Sequence, residues 1–215
     1  MPDLLRSTGS VLYSTDDFRR RAAREENFLA HPEEDGDHRF NPGHPRLHHA
    51  KGLRSAAVLI PVIDHGDQAT VLLTKRAETL RNHTGQVAFP GGRIDPEDKS
   101  PEHAALREAE EEIGLAARQV EVLGRMPDYV SGSGYRIAPV LSIVRPGFEL
   151  TINEDEVDAA FEVPLSFLMD PKNHTRDSRF WGDREWFYYD MPYGGRRIWG
   201  VTAGIIRTLY ERLYA

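Results

Sequence analysis

The chain has 215 residues, no cysteine, and a formal net charge of −7 from 34 acidic against 27 basic side chains. Its length suits one domain with an extension, and its 40% apolar content supplies a core, since a chain of this size buries roughly 70% of its unfolded surface. The lack of cysteine excludes a disulfide framework, a thiolate metal site and a thiol nucleophile, and the acidic balance argues against nucleic acid as a partner. The first residues, MPDLLRSTGSVLYSTDDF, lack the basic and apolar regions of a signal peptide, and no 18-residue apolar run occurs. The expectation is a cytoplasmic protein without a membrane partner.

In chain order, Asp16 to Ala30 has a helical pattern and is followed by EEDGDHRFNPGHPRLHHAK, crowded with Gly, Pro, Asp and His. This tract reads as loop. Its histidines, His38, His44, His48 and His49, include candidate metal ligands, but their spacing fits no regular i, i+4 pair, and a solvated or subunit-contacting loop is the plainer reading. Residues 1–50 are therefore taken as an extension and 51–215 as the main domain. AAVLIPVI and TVLLT, joined by a DHGDQ turn, read as two strands, with Pro61 at an edge or irregular position. Ser100 and Pro101 suit the start of a helix that reaches Ile113 and stops at Gly114. Strand-like runs follow at 120–123 and 136–144, then a short VPLSFLM helix, then strand-like segments at 186–189 and 197–199. A final helix carries Val201, Ile205, Leu209 and Leu213 at four-residue spacing. Mixed strands between helices indicate a layered α/β or α+β domain.

The chemistry is concentrated in SPEHAALREAEEEIGL. Ala105, Ala109 and Ile113, supported by Leu106, form one apolar stripe, and the remaining face is read as acidic: Glu108 and Glu112 are four apart, with Glu111 beside them. Hard divalent cations would neutralise such a cluster, although an ordinary solvated acidic face is the alternative. Charge segregation favours the first reading. Residues 95–115 carry eight acids and two bases, while residues 72–93 carry four bases and one acid. A cation-loaded helix preceded by glycines and a basic stretch suits a polyphosphate ligand.

GGRIDPEDKSPEHAALREAEEEIGL resembles a Nudix box. The second half fits through Arg107, Glu108, Ala109, Glu111, Glu112, Gly114 and Leu115, while the first half departs, with Asp98 where the usual form has Glu and one extra residue before Arg107. LLTKRAETLRNHTGQVAFPGG further resembles the signature of the coenzyme A pyrophosphatase branch of that family, through Leu72, Leu73, Thr74, Arg76, Ala77, Arg81, Gly85, Phe89, Pro90, Gly91 and Gly92. That branch has the lengthened box with Asp at the position of Asp98.

The resemblance implies a Nudix α/β/α sandwich with a mixed sheet, and metal-dependent cleavage of coenzyme A, a small-molecule substrate, into 3′,5′-ADP and 4′-phosphopantetheine. It implies Glu108 and Glu112 as the principal Mg²⁺ or Mn²⁺ ligands, and Glu111 as a further ligand or the water-activating base. Arg107 would orient a carboxylate, and Glu156, in the trio with Glu154 and Asp155, would be a base or ligand beyond the box. Arg76 and Arg81, with Lys75 and His83 behind them, are candidates for phosphate contact, and Gly85, Gly91 and Gly92 for close backbone approach. Trp181, Trp186, Tyr188 and Tyr189 receive no role. Competing readings are a Nudix hydrolase for ADP-ribose, a dinucleoside polyphosphate or NADH, and a non-catalytic nucleotide-binding regulator. A homodimer is left open.

Overall fold

The structure, a computed structural model, describes residues 11–24, 35–48, 52–79 and 85–215. Helix α1 (Thr15–Arg24) leads to β1 (Asp35–Gly36), and then β2 (Arg54–Asp64), β3 (Ala69–Arg76), β4 (Val87–Ala88) and β5 (Gly91–Arg93) precede helix α2 (Pro101–Ile113). Strands β6 (Val120–Arg125), β7 (Tyr129–Val130), β8 (Tyr135–Val144) and β9 (Val157–Pro164) follow, then the short helix α3 (Leu165–Leu168). The chain closes with β10 (Thr175–Trp181), β11 (Arg184–Tyr193), β12 (Arg196–Trp199) and helix α4 (Val201–Leu213).

Strands β1 to β9 form one mixed sheet whose centre is the parallel pair β2–β8, in register from Arg54↔Tyr135 to Ile63↔Val144. Both strands are near-continuous apolar runs because both of their faces are covered, as parallel strands require. On one face α2 packs its alanines against Ala57, Leu59, Leu72 and Val140. On the other, Phe18 of α1 and Ile205, Ile206 and Leu209 of α4 pack against Ile60, Val62, Leu73 and Leu141. This is the helix, sheet, helix layering expected from the sequence. Among the described residues no helix is long and apolar enough to cross a membrane.

Pro61 takes the irregular rather than the edge position, because it lies in the central strand opposite Ser142. Leu59 donates its N–H to Pro90 O, and Pro61, two residues on, faces the same side of the strand. There β2 has finished pairing with β5, whose last partner is Val58, and has not begun pairing with β3, whose first is Val62. The missing N–H of proline thus falls in a gap between two ladders and leaves neither short of a bond.

The His- and Pro-rich tract does depart from expectation: where described, it is packed rather than solvated. Strand β1 pairs parallel with β7, and the Asp37 carboxylate accepts hydrogen bonds from Tyr129 Oη (2.6 Å) and Gly132 N (2.7 Å). Asn41 exchanges two hydrogen bonds with the backbone of Phe187 in β11, and the buried His44 ring meets Trp186 edge-on at 4.9 Å. The segment therefore fastens the antiparallel β10–β11–β12 sheet to the main one. Burial raises the pKa of Asp37 above the ordinary carboxylate range, with its two donors opposing the shift.

The first helix is equally part of the core, since Phe18 is fully buried. Phe18→Ala is expected to cost about 3–5 kcal/mol of stability, as large-to-small core substitutions of Phe do. Urea unfolding checks this; a loss below about 1 kcal/mol would mean that α1 is not part of the core.

Candidate active site

Helix α2 positions the acidic residues, and its ends are fixed locally. Ser100 caps the first turn, its hydroxyl accepting from His103 N (3.2 Å), Pro101 occupies the first helical position, and Gly114 takes the left-handed conformation (φ 71°) that ends the helix. The buried face carries Ala104, Ala105, Ala109 and Ile113, and also Glu112. This corrects the reading of one uniformly acidic face. The Glu112 side chain is 2% exposed, Glu108 15% and Glu111 55%, so the three carboxylates occupy distinct environments.

Glu112 accepts a hydrogen bond from Gly91 N (3.1 Å) and lies 3.5 Å from Arg76 Nη1. Burial nevertheless raises its pKa to about 7, with the charges of Glu108 and Glu156 adding to the shift and Gly91 and Arg76 opposing it. Burial likewise raises Glu108, against the pull of Arg107, with Glu111 and Glu156 as repelling neighbours. Gly91 and Gly92 are what let the helix carboxylates come this close. A Cβ on Gly91 would lie 2.4 Å from Ala57 O, and one on Gly92 would lie 2.4 Å from Glu108 Oε2.

Arg107 is the electrostatic hub of the helix. Its guanidinium donates to both oxygens of Asp98 (3.1 and 2.9 Å), to Glu111 (2.9 Å) and to Arg93 O (3.2 Å), and pairs with Glu108 at 3.1 Å. Asp98 also meets His103 Nδ1 at 2.9 Å and accepts from Asp95 N. Hydrogen bonding to Arg107 holds the Asp98 carboxyl far below the ordinary carboxylate range, and Asp98 in turn raises Arg107. The aspartate that departs from the usual box is thus bound up in an ion pair with Arg107, joining the preceding loop to the helix.

These groups border a cavity of about 480 Å³ lined by Arg76, Gly91, Gly92, Glu108, Glu112 and Glu156, among others. Glu156 enters from the turn before β9, with Asn153 Nδ2 donating to its Oε1 (3.3 Å), while its neighbours Glu154 and Asp155 are exposed. Arg76 has a buried Nε with no hydrogen-bond partner, an orphaned donor beside the carboxylates. Glu111 faces Arg107 and is not among the lining residues. Gly85 sits in the turn before β4 beside Glu78 and is not itself a lining residue, although the next residue, Gln86, is, and Lys75 is paired with Glu78 and Asp158. Arg81, His83 and His49 lie outside the described residues.

Among the described residues no group of three or more His, Asp or Glu side chains is already gathered as a cation site. For Glu108 and Glu112 the reason is visible: the guanidiniums of Arg107 and Arg76 lie against them. The donor chemistry nonetheless fits a hard divalent cation, because three carboxylates, Glu108, Glu112 and Glu156, border one cavity, and the charges of Glu108 and Glu156 add to the rise that burial gives Glu112. The histidines offer no comparable set. His44 accepts from Arg46 N and meets Trp186 edge-on.

The cavity extends well beyond the carboxylates, to Asp37, Arg46, Arg179, Trp186, Tyr188 and Trp199. Sequence reasoning assigned none of these a role. They converge from the N-terminal tract and the β10–β12 sheet; the sequence signal for the four on that sheet is the aromatic and arginine content of residues 176–199, and Asp37 and Arg46 have none.

Residues 53–188 match the sequence model of the NUDIX domain. The chain is 45% identical over 159 residues to the protein named uncharacterized Nudix hydrolase NudL of Escherichia coli O7:K1, covering 73% of this chain and 81% of that one. It is 44% identical over 163 residues to the protein of the same name from Photorhabdus laumondii, covering 74% and 85%. Among solved structures it is similar in fold to RenU, a Nudix hydrolase from M. smegmatis, with a TM-score of 0.51 and 22% identity over 74% of this chain and 85% of that one.

The raised pKa of Glu112 has a consequence for stability. With the folded value near 7 and the unfolded one near 4.5, the folded chain binds this proton more tightly. Its contribution is therefore complete below pH 4.5 and is lost as pH rises through about 7. The shift corresponds to about 3 kcal/mol. In chelator-treated protein, urea unfolding between these pH values should show a decline in wild type that Glu112→Gln lacks; parallel curves would place the buried charge elsewhere.

Proposed function

The chain belongs to the Nudix hydrolase family, enzymes that cleave phosphoanhydride bonds of nucleoside diphosphate derivatives, and on that premise we propose that its substrate is coenzyme A or one of its derivatives. The observation that carries the reaction is the shared cavity of Glu108, Glu112 and Glu156, opened by Gly91 and Gly92 and flanked by Arg76. What supports the choice of substrate is the run from Leu72 to Gly92, whose fixed positions match the coenzyme A pyrophosphatase signature. In this reading residues 51–215 are the catalytic domain and residues 1–50 an extension of it.

Glu108 and Glu112 would hold Mg²⁺ or Mn²⁺, with Glu111 a further ligand if it leaves Arg107, and the cation would neutralise the pyrophosphate oxygens. The chain's own groups do the rest. Arg76 directs its free Nε–H at a phosphate oxygen, with Arg81 as the second cation. The backbone at Gly91 and Gly92 allows a phosphate to approach without a Cβ in the way. Glu156 accepts a proton from the attacking water, whose oxygen bonds to phosphorus as the bridging P–O bond breaks. The products are 3′,5′-ADP and 4′-phosphopantetheine. Arg107 stays protonated and acts as a positioning residue through its grip on Asp98 and Glu108.

Purified protein incubated with coenzyme A and Mg²⁺ or Mn²⁺ should yield these two products by mass, and none with chelator. Turnover of ADP-ribose, a dinucleoside polyphosphate or NADH much faster than of coenzyme A would retain the chemistry and overturn the substrate. No turnover of any of them would favour a nucleotide-binding regulator. Glu112→Gln should lower turnover at least tenfold with the fold intact, and near-normal activity would remove the residue from the cation site.

A further inference from the structure

The cavity has a second end whose chemistry the pyrophosphate does not use. Its floor is β2. Val58, at the carboxylate end, lies opposite Gly91, and Arg54, four residues back, lies opposite Tyr135, a run of about 13 Å at ~3.3 Å per residue. Trp186 closes on this far region, where a Cβ on Gly132 would lie 2.3 Å from its ring.

Two arginines border the cavity there. The Arg46 guanidinium is sandwiched between the rings of Trp181 (4.2 Å) and Trp186 (4.5 Å), and that of Arg179 lies over Trp199 (5.2 Å) and Trp181 (5.9 Å). Neither makes a salt bridge with a carboxylate among the described residues, whereas Arg76 and Arg107, at the other end, each do. Burial lowers the pKa of Arg46, and the like charge of Arg179 lowers it further against the pull of Asp37. Two cations are thus held near one another by aromatic faces, at a cost that an anion between them would relieve. Stacking on tryptophan fixes a guanidinium's plane and leaves its N–H edge available, the arrangement suited to phosphate oxygens.

We propose that Arg46 and Arg179 form a second anion subsite, which binds a phosphate monoester carried by the nucleotide portion of the substrate, separate from the pyrophosphate being cleaved. The subsite selects nucleoside diphosphate derivatives with an additional phosphate on the ribose over those without one. It deepens the coenzyme A reading, whose adenosine carries such a phosphate, and rests on it only in taking the carboxylate end as the site of the pyrophosphate.

The test is binding by calorimetry in chelator, without turnover, of adenosine 3′,5′-bisphosphate and of 5′-AMP, which lacks the second phosphate. Wild type should bind the bisphosphate at least tenfold more tightly. Arg46→Gln/Arg179→Gln should bring the two affinities within twofold of each other by weakening the bisphosphate alone. Arg179 is exposed, so Arg179→Gln by itself serves if the double variant unfolds, and should remove at least threefold of the preference. Equal affinities in wild type, a preference that survives both substitutions, or equal weakening of both ligands would overturn the subsite. Preference for the bisphosphate without hydrolysis of coenzyme A would overturn the proposed substrate and leave the subsite standing; hydrolysis without the preference would do the reverse.

Discussion

Everything at the candidate site depends on one helix face that is apolar except for a single carboxylate. Helix α2 is held against β2 and β5 by Ala104, Ala105, Ala109 and Ile113, and Glu112 is carried into the interface with them. Its desolvation is tolerated because Gly91 supplies a backbone donor, Arg76 supplies a cation, and the protonated form is accessible near neutral pH. The glycines of β5 follow from the same constraint, since a side chain there would collide with either the sheet or Glu108. Asp98 and Arg107 then lock the preceding loop onto the helix, so the loop, strand and helix form one rigid corner.

Much of this corner was legible in the sequence, and what was misread is instructive. The caps at Ser100, Pro101 and Gly114 and the stripe from Ala105 to Ile113 appear as read. The order of the glutamates was also available: at about 100° per residue, Glu112 lies about 20° from Ala105, Glu108 about 60° and Glu111 about 120°. Their exposures of 2%, 15% and 55% follow that order. Grouping them by i, i+4 spacing alone hid the difference. Strands β9 and β10 were not read at all, because β9 is defined by its partner β3 and the exposed β10 by its partner β11 rather than by any alternation of their own.

The far end of the cavity was illegible for a different reason. Asp37 and Arg46 come from a segment whose composition says loop, yet Tyr129, Gly132 and Phe187, between about 90 and 150 residues away in sequence, give that segment its fixed path. Local pattern reports what a residue prefers, and contacts this distant are decided by the assembled fold. Pro61 makes the same point: a proline in a central strand is harmless only because two other strands stop short of it.

The cavity is walled by two sheets that are built differently. The carboxylates and glycines stand on the main sheet and α2, where each substitution disturbs a packed interface, whereas Arg179, Tyr188 and Trp199 stand on the β10–β12 ribbon, joined to the body through Met191, Ile198 and the N-terminal tract. On the proposed reading, bond cleavage and molecular recognition would be housed in separable parts. Redesign of the ribbon and its tether would then retarget the enzyme while the cleaving corner stays intact, and a library confined to residues 176–199 would be the place to look for new specificities.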